Sequence, residues 1–221
     1  MIGVERQRNL FIAIGKRLKR KINVYAIGGT AMIFLGLKES TFDIDLVFET
    51  QKDRADFKEV LKSLGYEEMN SFVVYGERKN TPEMLTLGDE RFDLFVDEVV
   101  DFVFSENIRK RAKQLHQFGD NFLLKIADFH DIFVMKCATN RPKDMIDANS
   151  IITNTKINWD LIINEAKVQK ELKRETAILD LGYFLEELEV KFKVKIPKAI
   201  LDNLWKLLKK QNDIKRKKRL K

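Results

Sequence analysis

Two nearby stretches, Tyr25-Ala26-Ile27-Gly28-Gly29-Thr30-Ala31 and Thr41-Phe42-Asp43-Ile44-Asp45-Leu46, decide how this chain reads. The second has the composition of a strand. Strand side chains alternate between faces, so Asp43 and Asp45 share one face about 6–7 Å apart. Phe42, Ile44, Leu46 and Phe48 take the other face, which is expected to be the core. Two like charges on a half-buried strand repel and are costly without compensation. A divalent cation is the simplest compensation. Carboxylates favour a hard ion, and Mg2+ characteristically uses one or two of them plus substrate phosphates. The bland alternative is a turn-proximal acidic pair with no ligand.

The first stretch reads as a short strand, Asn23–Ile27, running through Gly28-Gly29 into a helix over Thr30–Leu37. Glycine lets backbone approach a ligand closely, amides at a helix start suit phosphate, and Thr30 adds a hydroxyl. A plain strand–helix turn is the other reading. No Gly-Lys-Ser/Thr follows, so this is not a P-loop, and Gly-x-Gly-x-x-Gly is absent. What gives the glycines weight is the Asp-x-Asp strand 14 residues beyond Gly29.

A third carboxylate would complete a two-metal site. Asp93, mid-strand in Arg91-Phe92-Asp93-Leu94-Phe95-Val96, is the first candidate, and Asp97, at the strand end, is the second. Asp93 could instead pair with Arg91 or Arg78. Two ions about 3.5–4 Å apart can stabilise both attacking and leaving oxygens at phosphorus.

Outward from these motifs, Val4–Arg20 has helical spacing, and Asp53 can cap a helix running to Leu64. Phe72–Tyr75, Glu83–Leu87 and Arg91–Val96 read as strands between turn signals. Ser105–Gln117 reads as a charged helix and Phe122–Ile126 as a last strand. Asp128 caps Phe129–Thr139, and Pro142 suits the first turn of the next helix. Trp159–Lys173, Thr176–Phe192 and Pro197–Lys210 follow as helices. The expected organisation is an α+β first domain over 1–127 and an all-helical domain over 128–221.

Composition narrows the class. The chain has 221 residues, 44% of them hydrophobic, which is too apolar for a disordered chain. The longest charge-free apolar stretch, Tyr25–Leu37, has 13 residues, and a membrane span needs about 20. A single cysteine, Cys137, excludes an internal disulfide framework. With no signal peptide recognisable, the expected location is cytoplasmic. The net charge of +7 is concentrated: Lys206–Lys221 carries nine basic residues against one acid, Asp213. The rest of the chain is close to neutral. A basic tail can meet phosphates, or it can be a solvated helix end. His116 and His130 are lone histidines expected on helices and without a catalytic role. Cys137 reads as a small buried hydrophobe, and Trp205 as core or interface.

Gly28-Gly29-Thr30, the Thr41-x-Asp43-Ile44-Asp45-Leu46 strand and the later Asp93 resemble the core of the DNA polymerase β-type nucleotidyltransferases. Within that superfamily the resemblance is greatest to the AbiEii-like toxins of type IV toxin–antitoxin systems. Lys136, then Arg141-Pro142-Lys143-Asp144 and Asp147, is similar to that family's Lys…Arg-x-Lys-Asp…Asp segment. The family often carries Arg shortly before the Thr-x-Asp, where this chain has Lys38.

The resemblance covers about residues 23–153. It implies a mixed-sheet core with flanking helices, followed by a helical region. Asp43, Asp45 and Asp93 would ligate two Mg2+ ions, with Mn2+ as a substitute. Gly28, Gly29 and Thr30 would cradle the NTP, and Lys136 and Lys143 would offset its charge. The implied reaction moves a nucleoside monophosphate to a hydroxyl, on an RNA (tRNA) 3′ end, with a cognate antitoxin as partner. A protein or antibiotic hydroxyl is the rival acceptor, and a catalytically silent nucleotide-binding module is the rival class. Taken without the resemblance, Lys136 and Lys143 could be surface or ion-paired, and Lys143 and Asp147 have the spacing of a helix salt bridge.

Overall fold

A computed structural model describes residues 1–139 and 141–219, with side chains through residue 208 except those of 138, 139 and 142. The chain divides into two units, Met1–Ile132 and Phe133–Lys221.

The first unit begins with β1 (Ile2–Gly3), α1 (Val4–Gly15), β2 (Ile22–Ala26), α2 (Gly28–Phe34) and β3 (Ser40–Thr41). It continues with β4 (Asp43–Phe48), α3 (Gln51–Ser63), β5 (Glu67–Met69), α4 (Phe72–Tyr75), β6 (Glu83–Leu87) and β7 (Glu90–Val96). Then come β8 (Glu98–Val99), β9 (Phe102–Val103), α5 (Glu106–Arg111), β10 (Gln114–Phe118) and β11 (Phe122–Ile126). The main sheet runs β10-β11-β2-β4-β7-β6-β5. It is mixed: β11 lies parallel to β2 and β4 parallel to β7, whereas β2 and β4 are antiparallel.

Alternation does what the sequence suggests for three of the four residues expected on the core face. Ile44, Leu46 and Phe48 are fully buried. Phe57 of α3 packs between rings, with centroids 5.1 Å from Phe48, 6.1 Å from Phe92 and 5.4 Å from Phe122. Phe11 of α1 meets Phe122 at 5.2 Å. Each such ring contributes about 1.5–3 kcal/mol by leaving water, so this aromatic layer anchors the sheet face opposite the aspartates. Phe42 departs from the expectation. It precedes the strand and is 65% exposed.

Three local expectations change. Phe72–Tyr75 is a turn of helix, α4, rather than a strand. Asn70 accepts from Phe72 N–H at 2.9 Å, Ser71 C=O accepts from Tyr75 N–H at 2.9 Å, and Gly76 ends the turn at φ +61°. Its β-branched residues stay exposed, and without sheet neighbours β-propensity decides little. The expected helix over Ser105–Gln117 stops at Arg111, and Gln114–Phe118 forms β10. Gly119 at φ +62° turns that strand back to pair antiparallel with β11. Helix α3 is capped by Thr50, whose Oγ1 accepts from Asp53 N–H at 3.1 Å, so Asp53 lies one turn inside.

The second unit takes up α6 (Phe129–Thr139), which begins in the first, and holds α7 (Pro142–Asn154), α8 (Trp159–Glu171), α9 (Glu175–Phe192) and α10 (Lys198–Arg219). Ile162, Ile163 and Ala166 of α8, Leu181, Phe184, Leu185 and Leu188 of α9, and Ile200 and Leu204 of α10 are buried. Gly182 of α9 leaves room for the Trp205 ring, whose carbons would crowd any Cβ there. Trp205 also packs against Tyr183 with centroids 5.3 Å apart. Most of the basic run from Lys206 onward lies outside the described side chains. Among the described residues no helix is long and apolar enough to cross a membrane.

Candidate active site

The register of β4 against β7 sets Asp45 directly opposite Asp93, and Asp43 opposite Arg91. Residues in register on adjacent strands point to the same face. The three aspartates therefore converge: each offers a carboxylate oxygen within 4.8 Å of the others. Asp93 is fully buried, Asp43 nearly so and Asp45 half-buried. Asp97 is not part of this trio. It sits past the end of β7 at φ +58° and pairs with Arg109 at 2.7 Å.

The glycine turn packs directly on this strand. Thr30 Oγ1 accepts from Asp45 N–H at 3.0 Å, and Ile27 N–H donates to Asp45 C=O at 3.2 Å. Gly28 has φ +54°, and a Cβ there would overlap Asp45 Oδ2. A Cβ on Gly29 would overlap Thr41 Oγ1, which itself donates to Asp43 Oδ1 at 3.2 Å. Only glycine at both positions lets the turn sit this close to the acidic strand. Gly28 and Thr30 thus pack on Asp45 and Gly29 packs on Thr41; Gly29 and Thr30 are themselves buried there, and Gly28 is half-buried.

Two further side chains grip the trio. Arg91 donates through Nε to Asp93 Oδ1 at 2.7 Å and through Nη2 to Asp93 Oδ2 at 3.1 Å. The same Nη2 pairs with Asp43 Oδ2. Tyr75 donates its hydroxyl to Asp93 Oδ2 at 2.7 Å. Burial pushes the Asp93 carboxyl above its usual value, and the charge of Asp43 adds to the rise, although Arg91 and Tyr75 pull the other way. The chemistry of the donors fits a hard divalent ion: three carboxylates converge on one face, and a guanidinium bridges two of them. Arg91 is visible in the sequence as a partner for Asp93, but its reach to Asp43 depends on the strand register. Tyr75 is not visible, because its segment reads as a strand.

Lys136 and Lys143 belong to the second unit. Lys136 is buried, with its amine 2.8 Å from Asp144 and 2.7 Å from Asp147. Burial alone would lower its pKa, but the two carboxylates raise it. Arg141 completes the group by donating to Asp144 at 2.7 Å. Lys143 is exposed on α7.

Neither histidine joins the trio. His116 lies on a strand, not a helix, with its ring 5.0 Å from that of Phe34. His130 has Nδ1 2.6 Å from Asp128 Oδ1 at the start of α6. Asp128 also accepts from His130 N–H at 2.9 Å, which caps that helix. Cys137 is buried, and burial pushes its thiol well up.

The class to which this fold and acidic trio point is nucleotidyltransferase. The chain belongs to the family described as "Nucleotidyltransferase of unknown function (DUF6036)", whose model matches residues 9–191. Two solved structures of ANT(2″)-Ia are similar to it. The crystal structure in complex with adenylyl-2″-tobramycin is 17% identical, covering 76% of this chain and 98% of that one, with a TM-score of 0.48. The solution structure of the same antibiotic-resistance factor is 14% identical, covering 84% and 95%, with a TM-score of 0.45. No curated protein matches the chain.

Proposed function

We propose that this nucleotidyltransferase moves a nucleoside monophosphate from an NTP to an acceptor hydroxyl at the Asp43–Asp45–Asp93 site. The observation that carries the reading is the convergence of these three carboxylates across the β4–β7 register. Mg2+ bound there, as one ion or two and replaceable by Mn2+, would polarise the α-phosphate and stabilise charge on the attacking and leaving oxygens.

The chain's own residues supply position. Asp45 is fixed by backbone bonds to Ile27 and by Thr30. Asp43 and Asp93 are held by Arg91. The turn of Gly28, Gly29 and Thr30 is proposed to take the triphosphate, because its two glycines bring backbone next to the acidic strand and Thr30 ties it to Asp45. In the reaction the acceptor oxygen bonds to the α-phosphorus, the bond to pyrophosphate breaks, and the acceptor's proton leaves to solvent. Catalysis of this kind is mainly positioning and electrostatics. For Lys136 and Lys143 as nucleotide-binding groups the support is the sequence resemblance alone, and Lys136 is engaged by Asp144 and Asp147 within its own unit.

For the acceptor we propose an RNA 3′ end, tRNA in particular, in the manner of the AbiEii-like toxins, with a cognate antitoxin as the regulating partner. The support is the Lys136–Asp147 segment and the nine basic residues from Lys206 onward. The test is transfer from α-labelled NTPs, with Mg2+, to total RNA, to aminoglycosides and to whole-cell protein in parallel. Label on RNA that disappears in Asp45→Asn supports the proposal. Label on an aminoglycoside or a protein replaces the acceptor, and transfer equal in wild type and Asp45→Asn removes the site.

A further inference from the structure

We propose that Arg91 is a built-in competitor for the metal: a resident cation that holds the acidic trio together before the ion arrives and must leave Asp43 when it binds. The inference rests on the metal-site reading above and adds a residue that sets how tightly that site holds its ion.

Three observations carry it. First, the guanidinium bridges two of the three carboxylates, with Nη2 on Asp43 and both Nε and Nη2 on Asp93. Nη2 engages Asp43 Oδ2 and the Thr41 hydroxyl donates to Oδ1, so an ion drawn to the trio meets an Asp43 carboxylate already engaged at both oxygens. Second, Asp93 has both oxygens taken, one by Nε and the other shared between Nη2 and the Tyr75 hydroxyl. Its buried carboxylate is thus satisfied without metal. Third, Arg91 lies opposite Asp43 on the neighbouring parallel strand, so its place beside the trio follows from the register. Its side chain keeps 20% of its surface exposed, so the guanidinium has somewhere to go.

The physics gives the direction. Three carboxylates with no cation would repel one another, and the site would be distorted or protonated before any metal came. Arg91 removes much of that repulsion. The same positive charge, a few ångströms from the incoming ion, weakens the ion's attraction to the trio. The site is therefore assembled but weakly loaded by metal alone, and the phosphates of an NTP supply the negative charge that tips the balance. Tyr75 contributes a hydrogen bond and no charge, so it separates the two effects.

The test is calorimetric titration with Mn2+ alone, at mildly alkaline pH, on wild type, Arg91→Gln, Tyr75→Phe and Asp45→Asn. Arg91→Gln is expected to bind Mn2+ at least about tenfold more tightly than wild type, the scale of one charged hydrogen bond given up. Its metal-free melting temperature is expected to fall, with the gap closing at saturating Mn2+. Tyr75→Phe should leave Mn2+ affinity close to wild type. Arg91→Gln that is folded and binds Mn2+ no more tightly than wild type overturns the proposal, and so does tightening of equal size in Tyr75→Phe.

If Arg91→Gln does not fold, the wild-type protein decides. The Nε–H resonance of Arg91 in 15N-arginine spectra should move saturably with Mg2+, and a resonance that stays fixed while the trio fills overturns the idea. Mn2+ binding that Asp45→Asn abolishes, together with no effect at Arg91, removes this inference and leaves the metal site standing. No Mn2+ binding in wild type, with or without a non-hydrolysable NTP, removes both.

Discussion

Among the described residues, one cluster of ionised groups in each unit invites comparison, because the buried carboxyl at its centre shifts in opposite directions. In the second unit Lys136 and Arg141 face Asp144 and Asp147, two cations against two anions. In the first unit Arg91 bridges Asp43 and Asp93, with Asp45 within 4.8 Å of both carboxylates. The carboxyl groups register the difference. Burial works to raise both Asp93 and Asp144, yet only Asp93 ends above its usual value. Lys136 and Arg141 bring Asp144 below it. A balanced buried cluster is a structural device. A buried carboxyl held above its usual value is kept at a cost to stability, which makes its cluster the candidate for a functional site.

Substitution should split the two clusters sharply. Asp45→Asn is expected to cut nucleotidyl transfer by at least about 10³-fold, equivalent to roughly 4 kcal/mol of transition-state stabilisation. Its melting temperature should stay close to wild type, because the backbone bonds of Asp45 to Ile27 and Thr30 survive. Asp93→Asn should likewise abolish transfer, with a modest loss of metal-free stability, because an amide nitrogen replaces one of the two oxygens that accept from Arg91 and Tyr75. A large loss of stability in either variant would make the trio structural.

Lys136→Met tests the other side. It takes the buried lysine from Asp147 and leaves Asp144 with Arg141, and is expected to cost about 3–5 kcal/mol in denaturant unfolding. A mild effect on unfolding with a specific rise in the KM for NTP would return Lys136 to the nucleotide.

Gly28→Ala sits between these extremes. The residue holds φ +54°, and its Cβ would press on Asp45 Oδ2. Left-handed strain alone costs about 1–2 kcal/mol. Activity should fall further than stability, because the atom displaced is a carboxylate oxygen of the trio.

The smallest contrast is in pH. Asp144 is depressed below 3.8 in the folded chain, so the stability it contributes is fully present above that value and is lost as pH falls through its folded pKa. Lys136 is raised above 10.5, so its contribution is full below that value and is lost as pH rises through its folded pKa. Asp93 is raised, so folding favours its protonated form and metal-free stability slips as pH climbs from 3.8 through its folded pKa. Asp93→Asn should remove that slip from the metal-free stability–pH curve. An unchanged curve would mean Asp93 is fully compensated.

Much of this was legible in the sequence because strand alternation is a local rule. The Asp43/Asp45 face, the glycine turn and Asp93 as third acid all follow from spacing, and the structure brings those residues together. What was not legible depends on partners far along the chain. Arg91 reaches Asp43 only through the parallel register of β4 and β7. Tyr75 reaches Asp93 from a single helical turn whose Phe-Val-Val-Tyr sequence favours a strand on propensity alone. The β10–β11 hairpin was hidden by the charges before it, which extend a helical pattern past the point where Gly119 turns the chain. Phe42 lies just outside the strand, where alternation no longer governs.

The most direct test of the central claim is anomalous diffraction from crystals grown with Mn2+ and a non-hydrolysable NTP. The account predicts an anomalous peak bonded to oxygens of Asp43, Asp45 and Asp93, with nucleotide phosphate beside Gly28 and Gly29. Mn2+ and phosphate bound elsewhere, with Arg91 still bridging Asp43 and Asp93, would contradict it.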